Sequence, residues 1–164
     1  MKGDVIMLTG RFADMIKRHE GLMLSAYKCP TGHNTIGYGH NIEANPLRDI
    51  DRYIDHYLAM TGEITIGMAE WLLDQDIISA GKSAEIIIKA STWSNLNDAR
   101  RAVIISMIFN LGIGGFMKFM RVNDALDAGD WSEAAEEMRD SLWYRQVGSR
   151  GKELSRMMRS GEWS

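Results

Sequence analysis

Cysteine is nearly absent from the 164 residues: Cys29 stands alone, so no internal disulfide can staple the chain. Proline is almost as scarce, with Pro30 and Pro46 only, which leaves no proline-rich linker. Basic charge is not in excess. Lys and Arg number 19 against 22 Asp and Glu, a net charge of -3, so a general nucleic-acid footprint is not expected. No apolar run is long enough for a spanning helix. The most hydrophobic stretch, 102–117, is uncharged but interrupted by Ser106, Asn110 and three glycines, and it falls short of the ~20 residues required. It reads as a buried core helix. From Met1 to Arg18 no basic start leads into an apolar segment, so a signal peptide is not expected and a reducing cytoplasm is the expected compartment.

Metal and cofactor motifs are missing too. His19, His33, His40 and His56 have no ligand spacing, and no H-E-x-x-H occurs. Ser79-Ala80-Gly81-Lys82 matches S-x-x-K without its companion motifs. Gly37-Tyr38-Gly39 lacks the third glycine and the following helix of a phosphate loop. No metal and no cofactor are expected.

What is present is a globular balance, 45% hydrophobic and 25% charged, enough for one domain or two small lobes sharing a long element. Phe12, Met15, Ile16 and His19 fall on one helical face, with Thr9 as N-cap and Gly21 as stop. From Leu22 to Ile42 glycines interleave with Tyr27, Thr35, Ile36 and Tyr38, which predicts a small antiparallel sheet. Helical periodicity returns with Leu47, Ile50, Ile54, Tyr57 and Leu58. A longer helix follows, capped by Thr65 and open to a bend at Gly81. Asn95 or Asn97 caps a helix over 98–111, apolar on nearly every side and ended by Gly112, Gly114 and Gly115. Shorter helices are expected around 116–127, 132–141 and 149–159. The fold class expected is α+β and mostly helical: an N-terminal β lobe over 22–64, a connecting helix over 65–89, a helical lobe from 1–21 and 90–164, and a cleft between the lobes.

Charge is uneven. Between Arg139 and Arg159 stand six basic and two acidic residues, net +4, which leaves -7 for the remainder. The common reading is a solvated helix face, and the functional one a surface that meets a polyanion.

The chemistry concentrates between Glu20 and His40. Glu20 ends the first predicted helix, where a carboxylate meets the negative end of the helix dipole, a setting suited to a general acid. Cys29 and Thr35 flank the turn-like Pro30-Thr31-Gly32-His33-Asn34. A thiol and a hydroxyl on either side of a turn can hold a water opposite the acid.

This stretch resembles the active-site region of the phage-type lysozymes, the small endolysins. Their catalytic pattern is Glu, eight residues, Asp or Cys, five residues, Thr, and Glu20, Cys29 and Thr35 fit it without a gap. Glu20-Gly21-Leu22, Tyr27-Lys28 and Thr35-Ile36-Gly37-Tyr38-Gly39-His40 match as well. The likeness continues through Arg100-Arg101-Ala102, Met107-Ile108-Phe109-Asn110-Leu111-Gly112, Gly115-Phe116, Trp131, Glu133-Ala134-Ala135, Trp143-Tyr144, Gln146, Arg150 and Arg159-Ser160-Gly161-Glu162-Trp163.

The resemblance implies a muramidase that cleaves the β-1,4 bond between N-acetylmuramic acid and N-acetylglucosamine. Glu20 would be the acid, Cys29 would stand where many relatives carry a second carboxylate, and Thr35 would help place water. Arg150 would pair with the catalytic Glu, and His40 with Asp76 would form a structural ion pair. Phe109 would line the substrate site. Asn41 and Phe119, where relatives often carry Leu and a polar residue, complete the substrate-binding candidates. The expected partner is the glycan strand of peptidoglycan, met by a monomer without nucleic-acid or stable membrane association. The protein would wait in the host cytoplasm until a separate holin opens the membrane, then act on the wall. An unperturbed thiol is only a few per cent ionised at neutral pH, so Cys29 leaves rivals open. They are a lytic transglycosylase, a cysteine peptidase or amidase using His33 or His40, and a non-catalytic wall-binding module.

Overall fold

The computed structural model describes residues 9–164. The chain divides into two compact units, the first ending at Ile78 and the second running from Ser79 to Ser164. The architecture is α+β and mostly helical, with one small antiparallel sheet near the N-terminus.

The first unit opens with α1, Thr9–Glu20. Phe12, Met15 and Ile16 are buried, as their spacing predicts. Any cap provided by the Thr9 side chain lies outside the described residues. Gly21 takes φ 71° and donates its N–H to Lys17 O, which stops the helix one residue after Glu20. The sheet follows in the order β1 (Met23–Lys28), β2 (Asn34–Gly37), β3 (His40–Asn41), all antiparallel. Tyr27 pairs with Thr35, and Thr35 pairs with Asn41, so the three residues form one row across the sheet.

The predicted helix after Pro46 is two: α2, Leu47–Ile50, and α3, Arg52–Thr61. Asp51 divides them because its carboxylate accepts the N–H groups of Tyr53 and Ile54, starting a new helix. Next comes α4, Ile66–Ile87, begun by Thr65, whose hydroxyl accepts Met68 N–H. It runs through Gly81, where a bend was expected. Ile36, Leu47, Ile54, Ile64, Ala69 and Leu72 form this unit's core, with Leu24, Tyr38 and Leu58 packed against them. Truncating one of the larger members costs roughly 2–5 kcal/mol.

The second unit contains α5 (Ala90–Asn95), α6 (Asp98–Phe116), α7 (Met120–Ala128), α8 (Trp131–Asp140), α9 (Leu142–Val147) and α10 (Ser149–Ser160). Asn97, not Asn95, caps α6. Every residue from Ala102 to Ile108 is buried. Among the described residues α6 is the one helix long and apolar enough to cross a membrane. Its buried centre is what the core reading of 102–117 expects. The glycines do not end α6 at Leu111. Gly112 leaves helical geometry, φ 68° and ψ 170°, and the chain resumes helix to Phe116, which makes a kink. α10 packs on α8 and α6. Its C-terminus is held by Arg100, whose guanidinium donates to Met158 O and Arg159 O, and by Asn97 Nδ2, which donates to Gly161 O.

Candidate active site

The first unit brings together Glu20, Cys29, Thr35, His40, Asn41 and Asp76. Glu20 is the last residue of α1, and that last turn is anchored. Lys17 Nζ donates to Glu70 Oε1 of α4 at 2.6 Å and lies 5.6 Å from the centre of the Tyr38 ring. The ion pair is exposed and therefore weak. Its value here is directional, fixing the end of α1 to α4 and to the turn that bears Tyr38.

Gly39 in that turn is part of the site. Its φ is +83°, and a Cβ built on it would meet Glu20 Oε2 at 2.9 Å and Cδ at 3.1 Å. The half-buried Glu20 carboxylate thus lies directly on the Gly39 backbone. Glycine is needed for the turn and for the approach at once.

Cys29 ends the β1 side of the turn. Its N–H donates to His33 O at 3.0 Å, its carbonyl accepts Gly32 N–H at 2.8 Å, and its thiol lies 3.0 Å from Thr31 Oγ1. The thiol is pulled down from the ordinary cysteine range to about 7. The hydrogen bond from Thr31 is the largest cause. The His33 and Thr31 backbones and the Thr35 hydroxyl add to it against a smaller opposing effect of burial. This corrects the expectation of a few per cent thiolate. The turn itself supplies these hydrogen bonds, while the neighbouring Lys28 is engaged with Glu43 at 3.2 Å.

Thr35 is buried on β2 and its hydroxyl donates to His33 O at 3.1 Å. Tyr27, its neighbour across the sheet, joins the two ends of the site. Its phenol is raised above the ordinary tyrosine range, first by burial and then by the negative charges of Glu20 and Cys29. Acid candidate and thiol therefore share one electrostatic neighbourhood.

His40 is buried, with Nδ1 at 2.8 Å from Asp76 Oδ2 and Nε2 at 2.9 Å from Asn45 O. Burial acts to lower its pKa and is the largest single effect. The Asp76 contact and the Asn45 carbonyl outweigh it, so the net direction is upward. Asn41 also shapes the backbone beside the site. Its Oδ1 accepts the N–H groups of Glu43 and Ala44, both at 3.0 Å, and so closes the turn after β3. His33 is engaged with Glu43 Oε2 at 3.0 Å. With His40 also committed elsewhere, the Cys–His pairing of a peptidase is not among the described hydrogen bonds.

Phe109, Phe119 and Arg150 belong to the second unit. Phe109 is half-buried on α6. Phe119 precedes α7 and meets Trp143 edge-on, with ring centres 6.0 Å apart. Arg150 is buried in the first turn of α10. Among the described residues no group of His, Cys, Asp and Glu could hold a metal. Sequence reasoning missed Thr31, Gly39 and Glu43. Only the Cys-x-Thr spacing hinted at the first.

The phage lysozyme family matches residues 17–160, nearly the whole chain. The chain belongs to the phage lysozyme family. It is 32% identical over 158 residues to the probable T4-type lysozyme 1 of Dictyostelium discoideum, covering 90% of this chain and 93% of that protein. It is 34% identical over 123 residues to an endolysin of Acyrthosiphon pisum secondary endosymbiont phage 1, covering 75% and 71%. It is also 32% identical over 158 residues to the pre-baseplate central spike protein Gp5 of Enterobacteria phage T4. That match covers 91% of this chain but spans only 28% of the spike protein. As a member of this family the chain carries its acid candidate at the end of a helix and its thiol beside a small sheet.

Proposed function

We propose that this phage lysozyme family member hydrolyses the β-1,4 bond between N-acetylmuramic acid and N-acetylglucosamine in bacterial peptidoglycan, as an endolysin that lyses its host. The carrying observation is the neighbourhood shared by Glu20 and Cys29 around Tyr27, with the Glu20 carboxylate seated on Gly39. Glu20 protonates the departing glycosidic oxygen. Cys29, near half ionised at neutral pH, takes a proton from the attacking water, and Thr35 orients that water. Phe109 and Phe119 serve the substrate from the helical part. Direct attack by Cys29 on the sugar is the alternative route and would retain the anomeric configuration, where water attack inverts it. In this reading the monomeric enzyme waits in the host cytoplasm for a holin.

Mass spectrometry of digested peptidoglycan tests the proposal. Reducing muramic acid ends are expected from the wild type and none from Glu20→Gln. Anhydro ends would make it a transglycosylase, new amino groups a peptidase or amidase, and binding without products a wall-binding module. The likeness to the spike protein supports a second setting for the same chemistry, on a virus particle. Immunodetection of the chain in purified particles, against the soluble lysate, separates the two.

A further inference from the structure

The second unit carries an open groove of about 390 Å³ between α8, α9 and α10, remote in sequence from Glu20, Cys29 and Thr35. Arg139, Lys152, Arg156 and Arg159 line it together with Tyr144 and Ser155. Residues 152, 156 and 159 fall at i, i+4 and i+7 of α10, hence on one face. Four cations thus converge on one concave surface of a chain whose total charge is -3.

Part of this charge has a structural use. Arg139 and Arg159 sit in the last turns of α8 and α10, where cations oppose the helix dipole, and both contact the single carboxylate of Glu136. Lys152 and Arg156 have no carboxylate partner among the described ion pairs, and Arg156 Nε donates to Lys152 O at 3.3 Å within its own helix. Lys152 stands in the first turn of α10, at the positive end of the dipole, where no acidic residue accompanies it. A cation at that end is unfavourable to the helix, and a bound anion would offset the cost. Arg156 lies mid-helix with its side chain exposed. The aromatic floor is one half-buried ring, Tyr144. That suits a sugar face and falls short of the repeated stacking platforms of a single-strand nucleic-acid groove. Four cations against the one Glu136 carboxylate leave an excess of positive charge in the groove, which favours a dianion over a single carboxylate, and the Arg156 guanidinium suits an oxyanion that accepts paired hydrogen bonds.

We propose that this groove binds a phosphorylated sugar, its phosphate held by Lys152 and Arg156 and its ring laid on Tyr144. The proposal is independent of the muramidase reading, because its test reads binding and not hydrolysis. Glucose 1-phosphate is titrated into the full chain and followed by ¹H–¹⁵N NMR. Shifts are expected at the amides of Tyr144, Lys152 and Arg156. Lys152→Glu/Arg156→Glu should weaken binding by about tenfold or more, since the charge-assisted hydrogen bonds are lost. Arg48→Glu/Arg52→Glu in the first unit, with the same change in net charge, should leave it unchanged. Should the first variant lose its folded spectrum, Lys152→Gln/Arg156→Gln makes the same test without charge reversal. Saturation by glucuronate at equal concentrations, by inorganic phosphate as tightly as by the sugar phosphate, or more tightly by a dT10 oligonucleotide at the same amides would each overturn the proposal. So would equal loss in the control variant, or no shifts at all.

Discussion

At Gly39 a single hydrogen in place of a side chain positions the acid candidate. Gly39→Ala places a methyl 2.9 Å from Glu20 Oε2 on a backbone with φ +83°. Two effects follow and can be separated. The left-handed backbone costs about 1–2 kcal/mol with any Cβ. Displacement of the carboxylate costs activity beyond that, because a shift of about 1 Å in a catalytic group is worth on the order of 10²-fold. Gly62 supplies the control, with φ +79° and nothing within 4 Å of an added Cβ. Both alanine variants should lower the melting temperature similarly, and only Gly39→Ala should cut the rate of wall clearing. Thr31 is the second residue to test. Its hydroxyl is the main cause of the lowered thiol pKa, so Thr31→Val should carry the midpoint of Cys29 alkylation from about 7 toward the ordinary cysteine range. The triplet Glu20, Cys29 and Thr35 was legible because its members are fixed in chain spacing. Thr31 and Gly39 were not, because their roles depend on which way a turn aims a hydroxyl and how closely two backbones pass.

At the scale of elements, the long periodic segments were readable: α1 from Phe12, Met15 and Ile16, and α6 from a run without a polar face. What escaped were the short helices α5 and α9, which carry too few turns to show a period, and the division at Asp51, where one cap overrides continuous helical spacing. The His40–Asp76 contact ties β3 to α4 and sets a pH dependence. His40 is raised in the folded state, so its stabilisation is fully present below the unfolded histidine value of about 6.5 and is lost as pH rises through the higher folded value. Unfolding free energy should therefore decline with pH above the ordinary histidine range. Asp76→Asn should flatten that decline and cost roughly 3 kcal/mol, the penalty for breaking a buried pair. In α6 the opposite outcome is expected. Ser106 is buried and its hydroxyl has no hydrogen-bond partner among the described residues, a state that costs about 1–3 kcal/mol. Ser106→Ala should raise the melting temperature, and a fall would mean that the hydroxyl is satisfied in solution.

For the whole molecule, the proposed role of the Cys29 thiol sets the pH range in which the proposed activity runs. If the Cys29 thiolate is the base, activity depends on a group that titrates near 7. As pH falls below that point the thiolate gains a proton, the water loses its acceptor, and the acid limb of kcat/KM falls with a midpoint near 7. Cys29→Asp supplies a base with an unperturbed value of about 3.9, which moves that limb down by about three pH units and leaves the enzyme active in mildly acidic medium. Thr31→Val acts in the other direction. Its acid limb should rise with the same shift that alkylation reports, because one proton governs both measurements. Profiles of wild type, Cys29→Asp and Thr31→Val on the same soluble glycan substrate decide the matter. An acid limb that stays in place in all three would remove Cys29 from the proton transfer and leave Glu20 acting on a water held by Thr35 alone.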